Sequence, residues 1–319
     1  MPSHLLTPDE IRAANALIDP VFLNQPILRQ SALDAVLGCQ VTLKVETLNP
    51  IRSFKGRGTE ALLGSMAEKP KGVIATSTGN FGQGLARAAI RRGIPCTILV
   101  PHGSNPLKME AMRRFGAEVR EVSVADGDGK ALAHRIASET GTLMVEDGGN
   151  RDIAAGAGTI GLELTEVGLT PDILVLQLGD GALAGGIASW FRALQPKTRI
   201  VGVVAAGAPA MAQSLAARRA VATERVDTIA DGLAIRRPIA GAVTQLLECI
   251  DEVMTVDDAA ITKAAHLIWR NTGLLAEPSG AAGIAAIETH SDAFKGRHVV
   301  SVLTGSNATR AFQAKLLAV

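Results

Sequence analysis

Lys55 stands in the run Asn-Pro-Ile-Arg-Ser-Phe-Lys-Gly-Arg-Gly, directly after an aromatic residue and with glycines at 56 and 58. An amine in that setting can do Schiff-base or general-base chemistry. The dipole of a helix start and burial beside Phe54 both disfavour the ammonium form and so expose the nucleophilic lone pair. Ser53 has the chemistry of a helix N-cap, which puts Lys55 in the first turn. Gly56 and Gly58 leave space where something planar could approach. A plain helix-start lysine with incidental glycines is the alternative reading.

Three further turns carry groups that could serve such an amine. Ser77-Thr78-Gly79-Asn80 follows the strand-like Gly-Val-Ile-Ala-Thr and precedes a helix expected from Phe81. Two hydroxyls, a glycine and an amide at a helix N-terminus make an oxyanion nest that fits a carboxylate, although the same residues also read as a simple Ser/Thr-rich cap. Gly179-Asp180-Gly181-Ala182-Leu183 lies between an apolar strand and a helix, the architecture of a phosphate cradle. With Ala184 it also matches G-x-G-x-x-A, the weak dinucleotide pattern. A nicotinamide site needs an acid about 20 residues on to hold the ribose. The strand there, Arg-Ile-Val-Gly-Val-Val-Ala-Ala, ends in alanines, so a single phosphate is the better reading. Asp180 would repel a phosphate and is expected to point outward. Leu303-Thr304-Gly305-Ser306-Asn307 offers a neutral hydroxyl after a strand, with a capped final helix as its alternative.

The elements that must position these turns alternate between short β-branched runs and Ala-rich helical segments along the whole chain. Seven strands are legible, in VTLKVE, GVIATS, CTILVP, EVREVSV, DILVLQLG, RIVGVVAA and VVSVLTG. Such alternation predicts an α/β fold with open, mostly parallel, twisted sheets flanked by helices. There are more units than one sheet comfortably holds, so two domains are expected, with ligands in the cleft where the βα turns converge. The stretch ADGDGKA at 125–131 reads as an exposed turn, and the mixed charges of PLKMEAMRRFG as a solvated helix face.

Composition bounds the chemistry. The chain has 319 residues, 47% apolar and 20% charged, with a formal net charge of +1. No run approaches the roughly 18 apolar residues of a membrane span, and the acids near the start argue against a signal peptide. No block of five like charges occurs, aromatics make up 3% and tyrosine is absent, which gives nucleic acid no docking surface. Three separated cysteines without a CxxC and six scattered histidines point to neither disulfides nor a metal centre. A cytoplasmic protein acting on a small molecule is expected.

Taken in order, SFKGRG, STGNFGQGLA, GDGAL and LTGSN closely resemble the fold type II pyridoxal-phosphate enzymes, the tryptophan-synthase-β superfamily, and within it the threonine/serine dehydratases and serine racemases. The resemblance extends over nearly the whole chain, through QPILRQSALDAVLGCQVTLKVETLNP, NPLKMEAMRRFGAEV, GAGTIGLEL and EPSGAAGIAAI. It implies pyridoxal 5'-phosphate as cofactor, a homodimer, and a large domain of residues 1–66 and 147–319 beside a small one of 67–146. By position, Lys55 would carry the cofactor and act as the Cα base, and Phe54 would pack on its ring. Asn80 would bond its 3'-oxygen. Gly179, Asp180, Gly181, Ala182 and Leu183 would supply phosphate-binding backbone, and Thr304 would face the pyridine nitrogen. Ser77, Thr78, Gly79 and Asn80 would hold the substrate.

A hydroxyl at the ring nitrogen makes a weaker electron sink than a carboxylate would. That favours early expulsion of a β-hydroxyl, and hence conversion of a β-hydroxy amino acid to a 2-oxo acid and ammonia. The cofactor phosphate is the expected acid for the leaving group, since no nearby acid is identifiable. Racemisation, for which Thr78 keeps a hydroxyl, and β-replacement are alternatives within the class. A nicotinamide dehydrogenase and a non-catalytic binding protein are alternatives outside it. Departures from the family pattern are also legible. Phe81 replaces a histidine. Ala157 stands where a substrate-facing glutamine is common, leaving room for a larger β-substituent. Val204 replaces a metal-site acid. With nothing following residue 319, control by isoleucine is not expected.

Overall fold

The computed structural model describes residues 3–123 and 129–318. Ten strands fall into two sheets. The larger contains β1 (Ile27–Arg29), β2 (Gln40–Val45), β7 (Ile173–Gln177), β8 (Arg199–Ala205), β9 (Glu252–Val256) and β10 (His298–Leu303), in the order β1-β2-β10-β7-β8-β9. The smaller holds β3 (Val73–Thr76), β4 (Cys96–Pro101), β5 (Glu118–Val122) and β6 (Leu143–Met144), in the order β5-β4-β3-β6. Among the described strands only β1 runs antiparallel, against β2. β7 and β10 are buried along their length apart from His298, as central strands covered by helices on both faces must be.

All seven expected strands are present. The three additional ones carry little pattern. β1 and β6 have three and two residues, and β9 is a sheet edge with both exposed and buried positions. Residues 124–128, most of the turn expected at 125–131, lie outside the described residues.

The lysine helix, Lys55–Ser65, is packed from both sides, and this revises the reading of its glycines. A Cβ on Gly56 would stand 2.3 Å from the Phe22 ring, and one on Gly58 would stand 2.7 Å from Ile153 Cγ2. Both glycines therefore admit neighbouring protein, not a planar ligand. A Cβ on Gly156 would meet the Arg57 carbonyl oxygen at 2.5 Å, and one on Gly186 the Ala154 carbonyl oxygen at 2.1 Å. The lysine helix, the helix Arg151–Glu166 and the helix Ala182–Leu194 thus touch main chain to main chain.

A buried charge network fastens the same helix to the sheet. Arg57 donates to Glu46 at 2.8 and 2.9 Å and to Glu163 at 2.6 and 2.9 Å. Lys44 meets Glu163 at 2.6 Å. Burial opposes the charge on Arg57, yet the two carboxylates hold its guanidinium above its ordinary value. Burial likewise disfavours the charge of Glu163, but Arg57 and Lys44 bring its carboxyl below the usual range.

Candidate active site

Five βα turns converge on one cleft of about 410 Å³, at the carboxyl ends of β2, β3, β6, β7 and β10. The lysine turn is stitched to the turn after the central strand β10. Phe54 N–H donates to the Thr304 carbonyl at 3.0 Å, Ser306 N–H to the Arg52 carbonyl at 3.0 Å, and Ser53 bridges Gly305. Asn49 closes the loop from inside, its amide donating to the carbonyls of Glu46 and Ser53 at 2.9 and 3.1 Å. The N-cap is Phe54, in helical conformation, and not Ser53. Ser53 Oγ still accepts from the Lys55 N–H at 3.4 Å, and Lys55 keeps its place in the first turn.

The Lys55 amine lies 4.7 Å from the centre of the Phe54 ring and pairs with the carboxylate of Asp147. Besides burial and the helix dipole, a counter-charge therefore sits against the amine. Asp147 follows β6, a strand too short to be read from its pattern, so local sequence gives it no context. Asp180 requires a correction. It lines the cleft, with its carbonyl and Cβ against Gly148, and its carboxyl interacts with the charges of Asp147 and Lys55 instead of turning outward. Burial, with the charge of Asp147 close by, pushes the Asp180 carboxyl up to about 6.

The turn expected to cradle a phosphate is a tight, glycine-capped helix start. Gly181, at φ +101°, occupies the left-handed region that favours glycine, and it caps the helix Ala182–Leu194 with no side-chain bond to its first N–H groups. Those donors face the cleft with Gly179, Ala182 and Leu183, as an anion requires.

Opposite lies the nest. The helix there begins at Asn80, one residue earlier than expected. Ser77 Oγ accepts from the N–H groups of Gly79 and Gly82 at 3.1 and 2.9 Å, while Thr78 is exposed on the cleft wall. Asn80 donates to Glu277 at 2.5 Å and accepts from Asn307 at 2.9 Å, so its amide is held in one orientation. Lys108, expected on a solvated face, is only 3% exposed. It reaches into the cleft to Asp231 at 2.6 Å and Glu277 at 3.4 Å. Burial works against its charge, but these two carboxylates keep the amine above its ordinary value.

Every site residue named from the sequence lines this cleft except Ala157. Ala157 is 1% exposed, inside the apolar core on the helix Arg151–Glu166, and does not line the cleft where a substrate contact is expected of it. Missed in the sequence were Asp147, Lys108, Asp231 and Glu277. Lys108 and Glu277 sit inside segments that carry the family resemblance, and the turn after every strand is a signal available for Asp147.

Two buried side-chain oxygens without a hydrogen-bond partner among the described residues line the cleft: Asp147 Oδ1 and Gln177 Oε1. Orphaned polar atoms, an unengaged helix N-terminus, a reachable amine and a ring platform together fit a phosphorylated heterocyclic aldehyde.

The pyridoxal-phosphate dependent enzyme family model matches residues 18–305. A serine racemase from Oryza sativa subsp. indica is 33% identical over 289 residues, covering 89% of this chain and 84% of that protein. An L-threonine ammonia-lyase from Thermotoga maritima is 32% identical over 306 residues, covering 95% of this chain and 76% of its own. Among solved structures, a threonine deaminase from T.th. superposes with a TM-score of 0.88 at 31% identity, covering 96% of this chain and 98% of that one. The nicotinamide alternative falls with these matches.

Proposed function

The chain belongs to the pyridoxal-phosphate dependent enzyme family, and on that premise we propose that it removes water and ammonia from a β-hydroxy amino acid such as threonine or serine, leaving a 2-oxo acid. Related threonine ammonia-lyases and dehydratases support this reading. The observation that carries it is that Lys55 and Thr304, a neutral hydroxyl residue, line one cleft.

Pyridoxal 5'-phosphate, when bound, supplies a ring that accepts electron density from the substrate's Cα. In this proposal Lys55 would hold it covalently, and the backbone of Gly179, Asp180, Gly181, Ala182 and Leu183 would take its phosphate. Phe54 would support the ring, Thr304 would face its nitrogen and Asn80 its 3'-oxygen. Ser77, Thr78, Gly79 and Asn80 would orient the substrate carboxylate, with buried Lys108 adding positive potential beneath them. Lys55 would also serve as the base that removes the Cα proton. Racemisation is the second reading. Thr78, exposed on the cleft wall, keeps a hydroxyl that could return a proton, and the relatives include serine racemases. Its extra methyl group favours elimination.

The test is ammonia release from L-threonine, L-serine, threo-3-hydroxyaspartate and phenylserine, with chiral analysis of recovered substrate. Purified protein is expected to be yellow, with a visible band lost on borohydride treatment, and Lys55→Ala to abolish turnover while the protein stays folded. Unchanged turnover in that variant would falsify the mechanism. Inversion outpacing ammonia release would establish the racemase instead. The proposal also includes a homodimer and a cytoplasmic location, to be checked by sedimentation and cell fractionation. Among the described residues, no helix is long and apolar enough to cross a membrane.

A further inference from the structure

Two carboxyl groups beside Lys55 have no part in the elimination as described so far. Asp147 touches the Lys55 amine through Oδ2, while its Oδ1 is buried without a hydrogen-bond partner on the cleft wall. Asp180 comes from the phosphate loop. Gly148, the residue next to Asp147, packs directly on it. A Cβ at 148 would stand 2.8 Å from the Asp180 carbonyl oxygen and 2.9 Å from Asp180 Cβ, so no side chain separates the two segments. The charged groups facing Asp180 are Asp147, Lys55, Lys130 and Glu146.

We propose that Asp147 and Asp180 are the proton-transfer pair of this site, Asp180 protonating the departing β-hydroxyl and Asp147 relieving Lys55 of the proton it takes from Cα. This rests on the elimination proposed above. The Cα–H electron pair becomes the Cα–Cβ π bond as Lys55 Nζ takes the proton. The Cβ–O bond breaks, its electron pair leaves on oxygen, and the Asp180 carboxyl proton completes a water molecule. The proton on Lys55 then passes through Asp147 to the Asp180 carboxylate, restoring both groups with no net gain or loss.

The chemistry of the pair suits the task. Neighbouring carboxylates resist ionising together, which separates an acid from a base within one pair. Burial and the Asp147 charge already push Asp180 up to about 6, and an anionic phosphate on the same loop raises it further. With a phosphate bound, Asp180 would thus hold its proton to higher pH than an ordinary aspartate does.

Leaving-group chemistry tests this directly, because the chloride of β-chloroalanine departs without a proton. Asp180→Asn is expected to slow ammonia release from L-serine or L-threonine by about 100-fold or more, and from β-chloroalanine by about tenfold or less. Equal losses on both would overturn the acid role. With L-serine, the wild type should lose rate as pH rises through the Asp180 titration, and Asp147→Asn should move that limb to lower pH by removing a like charge. An unmoved limb would overturn the pairing. A third measurement needs no turnover: the affinity of cofactor-free protein for pyridoxal phosphate, titrated from about pH 5 to about pH 9. It is expected to fall more steeply with rising pH in the wild type than in Asp180→Asn, where only the cofactor phosphate and the lysine titrate, and parallel profiles count against the pair. Should the wild type release no ammonia from any β-hydroxy amino acid, the assigned activity fails, while this titration still decides the pair.

Discussion

Lys108 passes directly beneath Gly79. A Cβ at 79 would stand 2.2 Å from Lys108 Cδ, and the amine beyond it is pinned to Asp231 at 2.6 Å. The backbone of the nest therefore rests on a buried cation that cannot retreat cheaply. Gly79→Ala should displace that side chain and withdraw positive potential from the proposed carboxylate site. The expected outcome is a KM for the amino acid raised by about tenfold or more, roughly the worth of one charge-assisted contact, with the circular dichroism spectrum retained. A KM equal to that of the wild type would separate Lys108 from substrate binding.

Glu163 answers two buried cations at once, Arg57 and Lys44, and accepts the Asn24 N–H at 2.8 Å. Glu163→Gln would leave both cations facing Glu46 alone. Removing one partner from a buried ion network costs about 3–5 kcal/mol, and urea unfolding should report a loss of that order. A wild-type midpoint would mean that the network adds nothing to stability.

Acid should loosen the N-terminal helix, Pro8–Leu17, by way of one exposed clamp. Arg151 bonds Glu10 at 2.5 and 2.8 Å, and that contact, against the opposing effect of burial, lowers the Glu10 carboxyl from 4.5 to about 2. The folded value lies below the unfolded one, so the contribution is complete above about 4.5 and disappears as pH falls through about 2. Thermal midpoints of the wild type and Glu10→Gln, measured in steps across that window, should converge towards the acid end. A gap that does not change with pH would rule this linkage out.

The legible part of the molecule is the part written in local pattern. Strands such as β7 and β10 announce themselves as largely apolar runs rich in valine, isoleucine and leucine, and the glycine-rich turns that follow them are visible in the sequence alone. Charges behave differently, because their meaning is decided by distant segments. Lys108 looks solvated until Gly79, Asp231 and Glu277 close around it, and Asp180 looks misplaced until Gly148 is packed against it. Gly58 reads as space for a ligand, yet Ile153 from a helix nearly a hundred residues away fills it. Analogy puts Ala157 in the cleft, but the close seating of its helix against the lysine helix turns it into the core.

The main-chain contacts at Gly156 and Gly186 have a mechanical consequence. With carbonyls lodged where Cβ atoms would otherwise stand, the spacing between the turn at Gly179–Leu183 and the Lys55 amine is a property of peptide geometry, insensitive to rotamer changes in the walls. Side chains around the cleft could then be exchanged to re-aim the chemistry at a new substrate without recalibrating the two fixed points between which it runs.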